Sequence, residues 1–319
     1  MNVVIIGGTG FLGYHAAREL IRREHQITAL GLPPLPEDEQ YARQVRIVTL
    51  NIEKASDNEL LEQFSGQDAL VFAAGLDDRV TPRRPAYPAF YHVNVEVTSR
   101  ILGLAKRAGI ERAVVLGSYF AHFNRQWPEM KLAEKHPYIR SRVEQEKACF
   151  AMSGPGFEVM VLELPYIFGS MKGRKPLWVP LVKMVRSSGT VYFCAGGTNC
   201  VSVQSVAEAI AGAVEKGRGG EAYLVGDENL SWEQMFQGFA RPLGKTIKFV
   251  TLPAYALSMV MFFMFVSRWL KGVESGLDPL SYVKVQTANT FFDPTPSRQA
   301  LGYSRGGLEQ AFEDTVEAC

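Results

Sequence analysis

The chain has 319 residues, of which 47% are hydrophobic and 21% charged, and this length accommodates one large domain or two smaller ones. The 34 basic and 33 acidic residues give a formal net charge of +1, and no charged block indicates a nucleic-acid-binding surface. The sequence has no His/Cys/Asp cluster of the kind that would indicate a metal site. The cysteines at positions 149, 194, 200 and 319 form no C-x-x-C pair, so we expect reduced thiols and a cytoplasmic protein.

The first half of the chain alternates short strand patterns with helical patterns. Runs rich in β-branched residues predict strands at Val3–Ile6, Gln26–Leu30, Val45–Leu50, Ala69–Ala73 and Ala113–Leu116. Helical periodicity predicts intervening helices, notably Leu12–Arg23 and Val93–Ala108. Alternating β and α units place their strands in one parallel sheet. We therefore predict an α/β, doubly wound Rossmann fold with helices on both faces.

The pattern changes after Glu163, where prolines and glycines interrupt the alternation. We predict a dinucleotide-binding domain over residues 1–165 and mainly a substrate-binding region over residues 166–319. Segments near 199–226 are expected to return to the main sheet. Further helices are predicted at Val203–Lys216, Trp232–Leu243 and Gly307–Ala318.

One segment, Phe249–Ser267, carries no charge and approaches the length of a membrane span. Pro253 interrupts it early, which shortens its helical part. A buried or half-buried helix is the favoured interpretation. A helix on the membrane surface, through residues 253–270, comes next, and a true span is the least favoured.

The strongest motif is a glycine-rich turn within VVIIGGTGFLG, at residues 3–13. Gly7, Gly10 and Gly13 lie where a buried strand gives way to an amphipathic helix that begins near Phe11 and Leu12. Glycine allows the tight turn, the close approach of backbone N–H groups to a pyrophosphate and the packing of helix on strand. The helix N-terminus then faces the phosphate charge, so this turn predicts a dinucleotide cofactor.

The choice between NAD and NADP depends on the end of the second strand. Many dinucleotide folds have an acid there for the ribose diol, or an arginine for a 2′-phosphate. This chain has Leu30-Gly31-Leu32-Pro33, with neither. Because no carboxylate repels a 2′-phosphate, NADP is weakly favoured over NAD.

Several further motifs share a pattern. Asn51-Ile52 follows the third strand, Ala73-Ala74-Gly75 follows the fourth, and Asn94 lies on the next helix. With the glycine-rich turn, they resemble the extended short-chain dehydrogenase/reductase superfamily, of the NAD-dependent epimerase/dehydratase type. The resemblance implies that these residues bind the cofactor. Asn51 replaces the aspartate that is usual in that family.

The superfamily has a catalytic Tyr-x-x-x-Lys and a hydroxyl residue after the fifth strand, and this chain has Tyr138-x-x-x-Arg142 and Ser118. The resemblance implies that Tyr138 exchanges the proton, Ser118 polarises the substrate oxygen and residue 142 contacts the cofactor ribose. Tyr119 is an alternative to Ser118. An i, i+4 spacing places Tyr138 and Arg142 on one helix face, where a cation stabilises a phenolate. Arginine keeps the charge of lysine but has a larger, planar head group.

The second half narrows the resemblance. LELPYIFG at 162–169 resembles the superfamily's nicotinamide-contacting loop, which implies that Pro165 and Ile167 bind the cofactor. The tail from Leu252 resembles the 3β-hydroxysteroid dehydrogenase branch. That branch implies an apolar substrate such as a steroid, isoprenoid or acyl compound, and contact with a membrane surface. In many members of the superfamily the helices around the position of Tyr138 form a dimer interface, so the resemblance is compatible with a homodimer of this chain.

The sequence leaves three functions open. An NAD(P)-dependent ketone reductase or alcohol dehydrogenase is favoured. A nucleotide-sugar epimerase or dehydratase would need cations for a diphosphate, and the second half has no evident basic cluster beyond Lys172, Arg174 and Lys175. A sensor or scaffold without turnover is the third, supported by the lysine-to-arginine change at position 142.

Overall fold

The computed structural model describes all residues, 1–319. The strands are β1 (Asn2–Ile6), β2 (Gln26–Gly31), β3 (Val45–Thr49), β4 (Ala69–Phe72), β5 (Arg112–Ser118), β6 (Glu158–Leu164), β7 (Tyr166–Phe168), β8 (Thr190–Cys194), β9 (Gly197–Ser202), β10 (Ala222–Leu224), β11 (Glu228–Ser231), β12 (Lys248–Leu252) and β13 (Asn289–Thr290). The helices are α1 (Phe11–Arg22), α2 (Glu39–Gln44), α3 (Asp57–Phe64), α4 (Tyr87–Tyr91), α5 (Thr98–Arg107), α6 (Phe120–Gln126), α7 (Leu132–Lys135), α8 (Pro137–Met152), α9 (Val179–Ser187), α10 (Val203–Lys216), α11 (Trp232–Ala240), α12 (Ala254–Leu270), α13 (Pro279–Gln286), α14 (Thr295–Leu301) and α15 (Leu308–Glu317). A π-helical segment, His92–Val97, joins α4 to α5, and a 3₁₀ turn, Pro128–Met130, follows α6.

The main sheet has seven strands in the order β10-β6-β5-β4-β1-β2-β3, and every pairing in it is parallel. β1, an interior strand of this sheet, has the apolar run Val3–Ile6, which is buried on both faces as a covered parallel sheet requires. The chain winds from β1 toward β3 in one direction and from β4 toward β10 in the other. The crevice between β1 and β4 is therefore the topological switch point, where open α/β sheets bind ligands. The doubly wound α/β prediction is confirmed.

Most element bounds follow the sequence patterns. The five predicted strands and the helices α1 and α10 differ from the structure by at most two residues at either end. Gly109 ends α5 with φ +84°, because a C′ glycine tolerates the left-handed conformation. The predicted helix over 93–108 is interrupted at its start, where its first turns are π-helical.

The segment 199–226 divides between two sheets, which differs from the expectation that it returns to the main one. β10 pairs with β6 in the main sheet, and α10 packs on α1. In contrast, β9 lies in a second, four-stranded sheet with β7, β11 and β13. Its residues are buried and its two edges are both paired, so it has no edge left for the main sheet.

The apolar segment Phe249–Ser267 begins in β12 and continues as α12 from Ala254, and no residue of this helix is buried. One side of it is half-buried and packs toward α13, while the other side is open to solvent. The expectation of a buried helix is therefore wrong, and that of a half-buried one holds for a single face. None of the helices combines the length and the apolar character that crossing a bilayer demands.

Candidate active site

The glycine-rich turn connects β1 to α1 and leaves no room for side chains. Gly7 has φ +82°, and a Cβ there would lie 2.8 Å from the carbonyl oxygen of Ala73. A Cβ on Gly13 would lie 2.2 Å from the carbonyl oxygen of Gly7, so only glycine lets α1 approach β1 this closely. The turn is closed by a 2.8 Å hydrogen bond that the Gly10 N–H donates to the Gly7 carbonyl.

The first turn of α1 presents free donors to the same crevice. Gly10 precedes the helix without a side-chain cap, and no acidic residue occupies the first turn. The N–H groups of Phe11, Leu12 and Gly13 have no acceptor within the chain. Uncapped N–H groups and the helix dipole together favour an anion, so this turn fits a pyrophosphate.

The adenosine end of the crevice lies at the ends of β2 and β3. Thr9 Oγ1 donates to the carbonyl of Leu32 at 3.0 Å, which ties the glycine-rich turn to the residues after β2. The carboxamide oxygen of Asn51 accepts from the Glu53 N–H at 3.0 Å, and the carbonyl of Ile52 accepts from Arg100. The side-chain oxygen of Asn51 thus forms a local turn rather than a contact across the crevice.

Asn94 holds the segment that follows β4. Its side chain is fully buried, accepts from the Leu76 N–H at 2.8 Å, and donates to the Leu76 carbonyl at 3.1 Å and to Ser141 Oγ at 3.0 Å. Ala73 and Ala74 lie beside Gly7, and a Cβ on Gly75 would lie 3.2 Å from Asn94 Oδ1. These contacts bring the end of β4 against helix α8.

Tyr138 lies in the first turn of α8, in an aromatic setting. Its N–H donates to the Gly276 carbonyl at 2.9 Å, and its ring packs edge-on against Phe90 and Phe120. The residue is 7% exposed. No group of the chain binds its hydroxyl, and that oxygen is not sealed from solvent. The phenol is therefore available to a substrate.

Arg142 lies one helical turn further and is buried without an anionic partner. Its Nη1 donates to Gln145 Oε1 at 2.8 Å and to the Leu116 carbonyl at 3.3 Å, and its Nε has no partner. The guanidinium carbon is 5.3 Å from the Tyr138 ring centroid. A buried cation without a carboxylate is costly, which is the usual mark of a functional position.

Ser118 and Tyr119 end β5, and their hydroxyls differ in availability. Ser118 Oγ accepts from the Phe120 N–H at 3.4 Å, while its own proton has no acceptor within the chain. The Tyr119 hydroxyl pairs with Thr198 Oγ1 at 3.2 Å, and burial raises the pKa of Tyr119 to about 12. Ser118 is thus better placed than Tyr119 to donate to a substrate oxygen.

Pro165 and Ile167 follow β6 at the same edge of the sheet. Pro165 is buried, whereas Ile167 is half-buried. The Ile167 carbonyl accepts from Trp178 Nε1 at 2.8 Å, and the preceding Leu164 carbonyl accepts from the Tyr119 N–H. These contacts place the two residues beside the end of β5, where Ser118 and Tyr119 lie.

The structure also adds residues that the motifs did not indicate. Gln145 joins Arg142 to Thr98, and its i, i+3 spacing from Arg142 was the available signal. Arg125 forms ion pairs with both Glu146, the residue after Gln145, and Glu163. Burial, and then the charge of Glu146, raises the pKa of Glu163.

The loop after β4 contains the charged residues Asp77, Asp78 and Arg79. Asp77 pairs with Arg79, and Asp78 is half-buried. Burial and then the charge of Asp77 raise the pKa of Asp78. This loop lies beside Tyr138 rather than standing free in solvent, because residues 78 and 276 are in contact.

Comparison with known proteins identifies one matching family model and several relatives of this chain. Residues 3–226 match the model of the NAD dependent epimerase/dehydratase family. A Synechocystis protein with the provisional name dihydroflavonol 4-reductase is 24% identical over 332 residues, 98% of this chain and 92% of that protein. The 4-hydroxy-2-methyl-3-oxo-4-farnesyl-3,4-dihydroquinoline-1-oxide ketoreductase of Stigmatella aurantiaca is 26% identical over 238 residues, 71% of this chain and 68% of that protein.

Two further proteins resemble this chain over almost its whole length. The decarboxylating sterol-4-alpha-carboxylate 3-dehydrogenase of Saccharomyces cerevisiae is 24% identical over 351 residues, 99% of this chain and 97% of that protein. MoeE5 in complex with UDP-glucuronic acid and NAD has a TM-score of 0.69 at 18% identity, over 100% of this chain and 98% of that chain, which shows a shared fold. The chain therefore belongs to the NAD dependent epimerase/dehydratase family, within the extended short-chain dehydrogenase/reductase superfamily, and is an oxidoreductase enzyme.

Proposed function

We propose that this enzyme interconverts a ketone and a secondary alcohol on an apolar small molecule, with a nicotinamide dinucleotide as hydride carrier. The observation that carries the proposal is the pair formed by Tyr138 and Arg142. A free phenol lies one helical turn from a buried guanidinium that has no carboxylate partner. That arrangement suits proton exchange with a substrate oxygen.

The chain's own residues fit the dinucleotide. The three free N–H groups of the α1 first turn face the pyrophosphate position, and side-chain-free glycines leave room for it. The Arg142 guanidinium, whose Nη2 makes only a 3.5 Å contact with the Leu76 carbonyl, is a donor for the ribose next to the nicotinamide. When bound, the dinucleotide supplies or accepts the hydride.

The residues around the substrate oxygen then divide the proton chemistry. In reduction, Ser118 donates a hydrogen bond to the carbonyl oxygen, and the Tyr138 hydroxyl gives that oxygen a proton as the hydride reaches carbon. Arg142 stabilises the phenolate that remains on Tyr138. In oxidation, the same phenolate takes the proton from the alcohol.

The surroundings of Tyr138 are apolar. Phe90, Phe120, Phe123 and Leu277 form one buried cluster with the tyrosine ring. The names of three relatives mention a flavonol, a farnesyl quinoline oxide and a sterol, all with large apolar parts. A ring system or isoprenoid chain is the substrate class that these two observations support together.

A nucleotide-sugar substrate fits the charges less well. Such a substrate needs cations for its diphosphate on the substrate side. Arg174, one of the few basic residues of that region, donates instead to the carbonyls of Thr9 and Pro34, on the dinucleotide side. For the cofactor we propose NADP ahead of NAD, because no carboxylate ends β2.

The proposal is tested by oxidation of NADPH and NADH with a panel of cyclic and isoprenoid ketones, and with UDP-glucose and UDP-glucuronic acid for comparison. Tyr138→Phe should lower kcat by about 10²- to 10⁴-fold while it leaves cofactor binding within a few fold. The matched control is Tyr192→Phe, on an exposed tyrosine of β8. Ketone-dependent turnover that Tyr138→Phe leaves intact would overturn the assignment. Cofactor binding without turnover in the wild type would indicate a binding protein.

A further inference from the structure

The loop between β7 and α9, residues 169–178, folds back over the glycine-rich turn. The Ser170 carbonyl lies 2.9 Å from His15 Nε2, on α1. Further along, Arg174 Nη2 donates to the Thr9 carbonyl at 2.9 Å and to the Pro34 carbonyl at 3.0 Å. One guanidinium thus joins the two backbone segments that flank the adenosine ribose position.

Arg174 has unused capacity at that point. Its Nε and Nη1 have no acceptor in the chain, and no carboxylate lies within 4.0 Å of it. The side chain is half-buried. Because Thr9 also binds the Leu32 carbonyl, Arg174 lies beside the end of β2, where dinucleotide folds recognise the ribose 2′ position.

We propose that Arg174 binds the 2′-phosphate of NADP, so that cofactor choice depends on a loop of the second half instead of the end of β2. A guanidinium binds phosphate oxygens in a fork and keeps its charge at all physiological pH values. This inference rests on the NADP assignment above. Glu37, whose side chain lies against Gly173, is the opposing group, since its carboxylate would repel a phosphate and accept from a ribose diol.

Titration of the purified protein with NADPH, NADH, 2′,5′-ADP and 5′-ADP tests the assignment without turnover. Arg174→Gln should weaken NADPH and 2′,5′-ADP about ten- to hundredfold, the value of one charged hydrogen bond or two, and change NADH less than threefold. Lys175→Gln, the same charge change on an exposed neighbour, should have little effect.

Other results contradict this assignment in distinct ways. Equal loss of NADPH and NADH in Arg174→Gln would mean that Arg174 only supports the turn. A wild type that prefers NADH, with that preference lost in Glu37→Gln, would assign the ribose to Glu37 and leave the oxidoreductase function intact. A wild type that binds neither dinucleotide would instead refute the proposed function.

Helix α12 supports a second, independent inference. Its open side carries Tyr255, Met259, Val260, Phe262, Phe263, Trp269 and Leu270, which are between 51% and 73% exposed. No charged residue occurs between positions 249 and 267. Soluble monomers rarely present an apolar surface of this kind without a partner.

The ends of α12 and its position indicate what covers it. Tyr255 and Trp269 lie near the two ends, and these residue types prefer the boundary between lipid and water. Lys271 follows as an exposed cation. The segment after the helix contains Gly276, whose carbonyl accepts from the Tyr138 N–H, so a short segment connects the C-terminal end of α12 to the candidate site.

We propose that α12 lies flat on a phospholipid bilayer and places the site next to apolar molecules dissolved there. Flotation with phosphatidylcholine vesicles should recover the wild type with the lipid, and the double variant Phe262→Ser/Phe263→Ser should lose at least tenfold in vesicle affinity. Tyr192→Ser, on another exposed aromatic, is the control. If the wild type ignores vesicles and sediments as a dimer that the double variant dissociates, a second copy covers α12 and this proposal is wrong.

Discussion

Gln145→Met tests whether the Arg142 guanidinium is held in place by its neighbour. The substitution keeps the length of the side chain and removes the acceptor of Arg142 Nη1 at 2.8 Å and the donor to Thr98 Oγ1 at 3.0 Å. Gln145 is 1% exposed and Arg142 8%, so water does not replace either bond. A bond to a charged group contributes about 1.5–3 kcal/mol and a neutral one about 0.5–1.5 kcal/mol, so the free energy of unfolding should fall by about 2–4.5 kcal/mol.

Urea titration measures this loss, with Gln204→Met as a control, since Gln204 is exposed and should change the free energy of unfolding by less than about 0.5 kcal/mol. Because Arg142 would then move relative to Tyr138, kcat should fall more than KM rises. Gln145→Glu keeps an acceptor for Arg142 and should recover most of the turnover. A Gln145→Met protein as stable and as active as the wild type would refute the positioning role.

The remaining predictions concern packing and pH. Gly13→Ala should lower the free energy of unfolding by about 1–3 kcal/mol or more and abolish dinucleotide binding, since its Cβ would lie 2.2 Å from the Gly7 carbonyl oxygen. Gly103→Ala, on a helix with open space around that position, should leave stability unchanged or raise it. Thermal unfolding with and without NADPH compares the two variants. Burial raises the pKa of Glu163 to about 8, so the folded state binds this proton more tightly than the unfolded state does. The free energy of unfolding should therefore fall as pH rises from about 5 to 8. This fall should shrink in Glu163→Gln, and an equal fall in both proteins would contradict the prediction. Burial lowers the pKa of His136 to about 4, so the folded state favours the neutral imidazole. The contribution of His136 to the free energy of unfolding should therefore be lost as pH falls from about 6.5 to 4. Urea titrations of the wild type and of His136→Gln at pH 7 and pH 5 check the sign of this change.

Local sequence was sufficient where a pattern and its physical cause lie within one segment. The apolar run of β1, the glycines that follow it and the periodicity of α1 lie within residues 2–22, so the Rossmann turn was predictable in full. Tyr138 and Arg142 were also placed on one helix face, because their i, i+4 spacing is a property of any α-helix.

Expectations based on composition were less reliable where burial decides. An uncharged apolar segment suits a buried helix, yet α12 is half-exposed because α13 packs on one of its sides and the other side faces solvent. Charged residues are usually solvated, but Asp78, in the loop after β4, is half-buried next to the site. Hydropathy measures what a segment prefers, and it does not specify which neighbours the chain places there.

The doubly wound sheet, the dinucleotide turn and helix α8 with Tyr138 could be predicted from the chain's residues, since these features depend on periodicity and short-range sterics. Tertiary structure alone decided that Gln145, and no carboxylate, accompanies Arg142, that Arg174 reaches Thr9, and that the Gly276 carbonyl binds Tyr138. The last two contacts join residues more than 100 positions apart. Such contacts arise from how helices and loops pack across the crevice, which no local pattern encodes.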